Sequence, residues 1–199
     1  MLTKKQLGIL GVFKKDLFAE LTFSQIKAQS RQKSNNVTQL AIKEFKKQGL
    51  IHQKKTGDVS TYCLNLNSTL TLAYLNLINE EEIRQKPLEA IKAIQDRIPT
   101  EFYILLVFGS HAKGTATKKS DLDMAIIIES KQAKKNILPA LETVKRRETT
   151  KIDYHVFTRK EYLEMLKADY ENLGKQVYKD NLVYYGYIAY CKLISRIKR

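Results

Sequence analysis

Tryptophan is absent from this chain of 199 residues, which has only two cysteines, three prolines and three histidines. Cys63 and Cys191 stand far apart without paired spacing, which argues against a disulfide framework and against a zinc site. His52, His111 and His155 form no ligand pattern with them. A run of eighteen apolar residues, the minimum for a spanning helix, does not occur, and the amino terminus lacks a charged-then-apolar pattern with a cleavage site. A cytoplasmic protein with no membrane partner is therefore expected. Acidic residues are the minority charge, 21 against 35 Lys plus Arg, for a formal net charge of +14. The 43% hydrophobic content supplies a core for each of two compact units of ordinary size.

The densest chemistry lies between residues 102 and 128. Residues 102–108 are apolar, β-branched or aromatic and too few for a buried helix, so they are expected to form an interior strand. Gly109 and Ser110 end it, and a polar loop leads to Ser120, Asp121, Leu122 and Asp123. Residues 122–128 have the character of a second strand. Side chains two apart on a strand share a face, so Asp121 and Asp123 should project together. Two carboxylates so placed repel unless a cation lies between them. Magnesium suits the role, because it takes oxygen ligands from one or two carboxylates and from substrate phosphates. Residues 151–157 contain a single acid, Asp153, after a helix-like segment from 131 to 147. As the next strand of the same sheet, they would bring a third carboxylate.

Phe108, Gly109 and Ser110, then ten residues, then Asp121, Leu122, Asp123 and Met124, with Asp153 on a later strand, resemble the nucleotidyltransferase superfamily of DNA polymerase β. Gly109 to Gly114 together with Ser120 to Asp123 look like its minimal nucleotidyltransferase branch. The resemblance covers about residues 88 to 197. It implies that Gly109 lets backbone N–H groups approach a triphosphate and that the Ser110 hydroxyl donates to a phosphate oxygen. It further implies that Asp121 and Asp123 bind both metal ions, Mg2+ or Mn2+, and that Asp153 completes the catalytic metal site and helps deprotonate the attacking hydroxyl. The implied reaction is in-line attack on the α-phosphate of ATP or another nucleoside triphosphate, with pyrophosphate leaving. Ser120 joins Gly109, Ser110 and Lys113 as a candidate phosphate contact. Lys113, Lys118 and Lys119 either offset triphosphate charge or are solvated loop lysines. His111 departs from the pattern, since many relatives carry arginine there, so a charged phosphate contact is absent or depends on pH.

The front of the chain is of a different kind. Thr3 and Gln6 have capping-box spacing, and Leu7, Leu10, Gly11, Phe13, Leu17 and Phe18 follow with near-helical spacing. Thr22 and Gln25 offer a second start. A third helix is expected from about Asn36, with Val37, Leu40, Ala41 and Phe45 on one apolar face, to a stop at Gly49. Residues 50–55 and 60–66 flank Thr56, Gly57 and Asp58 as a strand, a tight turn and a strand. Three helices followed by a β-hairpin over residues 1 to 67 resemble the winged helix-turn-helix family. That resemblance implies DNA as a partner, with Ser34, Asn35, Asn36, Thr38, Gln39 and Lys43 on the groove-reading helix and Lys54 and Lys55 on the wing. The alternative is a small helical domain that binds protein or packs on its neighbour. Residues 1–67 hold 12 basic and 4 acidic side chains, against 23 and 17 in the other 132 residues. The basic excess is thus concentrated in front, which favours nucleic acid.

Residues 67–78 are apolar with polar interruptions and are expected to form a connecting helix, followed by a charged helix over 80–98. A connector of this kind also suits a homodimer seam. Near the carboxyl end, Thr158 and Glu161 form another capping box, and helix is expected from there onward. Residues 180–186 are similar to the segment that closes the minimal nucleotidyltransferase domain. Tyr184, Tyr185 and Tyr187 either stack a nucleobase or pack within the protein. The terminal Lys192, Arg196, Lys198 and Arg199 suit a helix end.

The expected fold class is α+β. A winged helix over residues 1–67 and a connecting helix over 68–87 precede a nucleotidyltransferase α/β domain over 88–199, with a short mixed sheet flanked by helices. The expected function is metal-dependent transfer of a nucleoside monophosphate, AMP from ATP, to an acceptor hydroxyl on protein, RNA or a small molecule. Minimal nucleotidyltransferases serve as antitoxin partners of a helical ribonuclease toxin, so a toxin-like protein is one acceptor the resemblance implies. The alternative is a winged-helix transcriptional regulator whose second domain only binds nucleotide.

Overall fold

The computed structural model describes residues 1–86, 88–117 and 119–197. They form two compact units, Met1–Ile78 and Asn79–Arg199. The division falls within the segment expected as a connector.

In the first unit, Thr3 caps helix α1, Lys4–Leu10, through a complete capping box with Gln6. Gly11 ends the α-helix, and a 3-10 turn, Gly11–Lys14, follows. Helix one is therefore shorter than the apolar spacing through Phe18 implied. Strand β1, Leu21–Thr22, leads into α2, Phe23–Gln29, which is capped by Thr22 and Gln25. Helix α3, Asn35–Lys47, starts at Ser34, whose hydroxyl accepts from the Val37 N–H. Gly49 follows in the left-handed conformation, with φ 66°, and the chain turns into the hairpin of β2, Ile51–Thr56, and β3, Val59–Leu64. β1 pairs with β3, so the sheet order is β1-β3-β2, antiparallel throughout. A two-residue strand carries no periodicity, which is why the sequence did not signal β1. Ile9, Leu10, Phe13, Ile26, Phe45 and Leu50 are fully buried and form the centre of this unit.

Helix α4, Thr69–Arg84, runs without interruption through the point where two helices were expected to meet, and α5, Glu89–Gln95, is separate. The second unit is built on a sheet of order β6-β5-β4-β7. Its strands are β4, Tyr103–Phe108; β5, Leu122–Ile128; β6, Ile152–Thr158; and β7, Asn181–Tyr185. β4 pairs antiparallel with β5 and β7, whereas β5 and β6 are parallel. This is a mixed sheet, consistent with a nucleotidyltransferase domain. The all-helical carboxyl end is corrected by β7: Leu182, Val183, Tyr184 and Tyr185 suit a pleated surface, and β4 had an edge to cover. Around these strands lie α6, Gly109–Lys113; α7, Lys131–Arg147; α8, Arg159–Lys167; α9, Leu173–Lys179; and α10, Tyr187–Ile194.

Strand alternation divides the sheet into two faces. Tyr103, Leu105 and Val107 of β4, Leu122, Met124, Ile126 and Ile128 of β5, and Ile152 and Val156 of β6 join one core cluster. Ile91 and Ile94 of α5 and Ile137, Leu141 and Val144 of α7 complete it. The opposite face is packed by α8 on β5 and β6, by α9 on β4, and by α10 on β4. Gly186, at φ 77°, lets β7 run into α10. A Cβ there would lie 2.7 Å from the Tyr103 carbonyl oxygen, so no larger residue fits without moving β4.

Candidate active site

Residues of even number on β5 belong to the apolar cluster, so Asp121 and Asp123 must point to the other face. The same alternation turns Asp153 and His155 of β6 to that face. Strand pairing then sets the spacing: Asp123 lies directly across from Asp153. Phe108 and Gly109, where β4 ends, complete the neighbourhood. Gly109 has φ 65°, and a Cβ on it would lie 2.2 Å from the Asp123 carboxylate oxygen Oδ2. The glycine is therefore required twice, by its backbone conformation and by the carboxylate pressed against it.

Electrostatics bear the mark of this crowding. Burial raises the Asp123 carboxyl above the ordinary Asp value, and the neighbouring Asp153 and Asp121 charges add to the rise. His111 and His155 act in the opposite direction. Three carboxylates on one face of the sheet form a hard-oxygen donor set whose repulsion a divalent cation would relieve, so the residue types fit magnesium. Their present arrangement is more open than a completed metal site. Among the described residues, no group of three His, Cys, Asp or Glu side chains is gathered as a metal cage. Asp121 accepts from Lys151 Nζ at 2.6 Å. Asp153 instead has His155 Nε2 at 3.6 Å.

The phosphate candidates separate. Gly109 and Ser110 open the short helix α6 beside the acids. Lys113, at its end, forms an ion pair with Asp180 at 3.5 Å, so its ammonium is directed toward the start of β7. The Ser120 hydroxyl accepts from the Thr117 N–H at 2.9 Å and closes the loop before β5. His111 Nε2 is a buried nitrogen without a hydrogen-bond partner among the described residues. Lys119 is exposed, while Lys118, Lys198 and Arg199 lie outside the described residues. The tyrosines take the packing alternative. Tyr185 stacks on Tyr103 with ring centroids 4.3 Å apart, Tyr184 donates to the Lys86 carbonyl at 2.5 Å, and Tyr187 is buried.

Two corrections concern α3. Thr38, expected among the DNA contacts, is fully buried, and its hydroxyl donates to the Ser34 carbonyl at 3.4 Å. Leu40, expected on the apolar face, is 64% exposed. The buried residues Thr38, Ala41, Ile42 and Phe45 follow the spacing i, i+3, i+4, i+7, which turns Leu40 outward with Asn36, Gln39 and Lys43. Asn35 and Lys55 are also exposed, whereas Lys54 forms an ion pair with Glu20. Sequence reasoning did not single out Lys151, Asp180 or Glu20 as partners. Each pairs with a residue at least 30 positions away, so only the folded chain could reveal it.

Residues 89–182 match the model of the family described as Polymerase beta, Nucleotidyltransferase. The match supports a nucleotidyltransferase domain over that segment and nucleotidyl transfer as the general class of reaction. No curated protein and no solved structure matches the chain.

Proposed function

We propose that the chain catalyses magnesium-dependent transfer of a nucleoside monophosphate, AMP from ATP, to an acceptor hydroxyl on a protein, an RNA or a small molecule. The observation that carries this reading is the register of Asp123 against Asp153 beside Gly109, a left-handed glycine with the Asp123 carboxylate pressed against it. Asp121, Asp123 and Asp153 would hold the metal, which when bound offsets charge on the phosphate oxygens and lowers the pKa of the acceptor hydroxyl. Gly109 leaves its backbone open to the triphosphate, and Ser110 donates to a phosphate oxygen. Asp153 accepts the proton of the attacking hydroxyl. The acceptor oxygen bonds to the α-phosphorus as the bond to the bridging β-phosphate oxygen breaks, and pyrophosphate leaves. Lys113, exposed and paired with Asp180 at 3.5 Å, is a further candidate for offsetting triphosphate charge.

The first unit is proposed to be a winged helix-turn-helix domain that binds DNA. Three helices before an antiparallel hairpin support it, as do the basic excess and the exposed Asn35, Asn36, Gln39 and Lys43 on α3. Ser34 stands at the start of that helix, and Lys54 and Lys55 on the hairpin.

Incubation of the pure protein with labelled ATP, magnesium and cell extract is expected to label an acceptor. The doubly substituted Asp121→Asn, Asp123→Asn protein should label nothing, and equal labelling by both would overturn catalysis. A second reading, a DNA-binding regulator whose catalytic-type domain only senses nucleotide, draws on the Asp121–Lys151 pair. It predicts operator binding that changes with ATP and survives loss of the aspartates.

A further inference from the structure

The pairing of β5 with β6 places a cation beside the three acids. Leu122 pairs with Ile152 and Asp123 with Asp153, so the residues one position earlier, Asp121 and Lys151, face each other as well. The Leu122 N–H donates to the Lys151 carbonyl at 2.8 Å, which ties this end of the ladder down. Side chains two apart share a face, so Asp121, Asp123, Lys151 and Asp153 form a two-by-two array with one cation among three carboxylates. The cation is engaged: Lys151 Nζ donates to Asp121 Oδ2 at 2.6 Å. The same Asp121 is one of the three carboxylates to which the proposed function assigns the metal.

We infer that Lys151 is a tethered counter-ion of the active site, whose ammonium offsets the Asp121 charge and competes with a divalent cation for that carboxylate. This inference rests on the proposed role of Asp121 as a metal ligand. The ammonium at 2.6 Å takes one lone-pair site of the carboxylate and offsets its charge, so a metal drawn to the same carboxylate competes with it. Competition of this form is reciprocal: whatever the lysine contributes to the empty site is subtracted from metal affinity. The pair is exposed, with 76% of the Lys151 side chain and 37% of Asp121 accessible, so the lysine is displaceable and not a permanent block. It keeps the three carboxylates from standing wholly uncompensated and shifts metal loading to a higher concentration. Lysine serves here as a point charge on a flexible stem, which can withdraw from the carboxylate without disturbing the strand.

Direct Mn2+ titration of the full chain, followed by electron paramagnetic resonance, tests this without reference to turnover. Lys151→Met should bind Mn2+ about two- to five-fold more tightly than wild type, the range that an exposed ion pair can supply. Lys151→Arg should remain within about two-fold of wild type, because it retains the counter-charge. Lys119→Met makes the same charge change in the loop before Asp121 and controls for long-range attraction. As a second readout, the Lys151 side-chain ammonium resonance, identified by its loss in Lys151→Met, should shift when Mg2+ is added. If Lys151→Met binds no more tightly than Lys119→Met, the tethered counter-ion is wrong while the metal site stands. If neither wild type nor Lys151→Met binds Mn2+, the metal assignment of the aspartates fails first, and the inference with it.

Discussion

The carboxylate of Asp123 occupies the space that a side chain on Gly109 would need: a Cβ at residue 109 would stand 2.2 Å from Oδ2. Gly109 directly follows β4 and Asp123 is the second residue of β5, so this contact joins the phosphate-side backbone to the acidic cluster. The glycine's left-handed conformation and the acid's position are set together.

Gly109→Ala should therefore be costly in two ways. A left-handed alanine costs about 1–2 kcal/mol, and the methyl group must push Asp123 from its place opposite Asp153. Nucleotidyl transfer is expected to fall by about 10²-fold, the scale of a misplaced reacting group. Labelling assays and thermal melts check this, and a variant with wild-type melting and turnover would show that the contact does not exist.

Asp123→Asn should raise the melting temperature of the metal-free protein at neutral pH. Burial, then Asp153 and Asp121, raise the folded-state Asp123 pKa, so its stabilising contribution is present below the ordinary Asp range and is lost as pH rises through the raised folded value. Asparagine removes that loss. Melts in chelator from pH 4 to 8 should show the gap opening with pH, and Mg2+ should stabilise wild type more than the variant.

Glu161 has the opposite sign. Its carboxylate accepts the Thr158 N–H at 2.8 Å in the α8 capping box, and this backbone bond lowers its pKa. Its contribution is present above the ordinary Glu range and fades as pH falls through the depressed folded value. Thr158→Ala should cost about 1 kcal/mol at pH 7. Urea melts should also show that Glu161→Gln flattens the acid limb of the stability profile.

Leu40→Ala should change folding stability by less than about 0.5 kcal/mol, because the residue is 64% exposed. Phe45→Ala, on the buried side of the same helix, should cost about 3–5 kcal/mol. Denaturant melts of the two variants distinguish the observed rotation of α3 from one that buries Leu40.

If the first unit binds DNA as proposed, Lys43→Ala should lower the slope of log affinity against log salt by about 1. Lys54→Ala should lower it less, because Glu20 already accompanies that ammonium. Titrations at several salt concentrations check both, and unchanged slopes for Lys43→Ala would remove α3 from the interface.

Much of the candidate site was legible in the chain because it depends on local periodicity. Alternation over residues 122–128 puts Asp121 and Asp123 on one face, and capping pairs at Thr3, Thr22 and Thr158 mark helix starts that the structure contains. Less was legible where one residue must choose among several partners. The apolar run around α3 admits Leu40 or Thr38 on the inner face, and packing against the rest of the unit decided for Thr38. Residues 181–185 have strand character but no neighbour in the sequence to pair with. Their role as β7 follows from the open edge of β4.

By itself, the sequence determined the residue types that define the chemistry: a glycine and serine after an apolar strand, three acids at set spacing, and a basic excess in front. Those features are covalent and local, and strand geometry turns them into facing side chains. Only the tertiary structure decided which charges answer one another. Lys151 meets Asp121, Asp180 meets Lys113, and Glu20 meets Lys54 across at least 30 residues of chain. Such pairs arise from strand register and packing, which depend on the whole fold because a shift of one residue would turn every side chain of a strand to the other face.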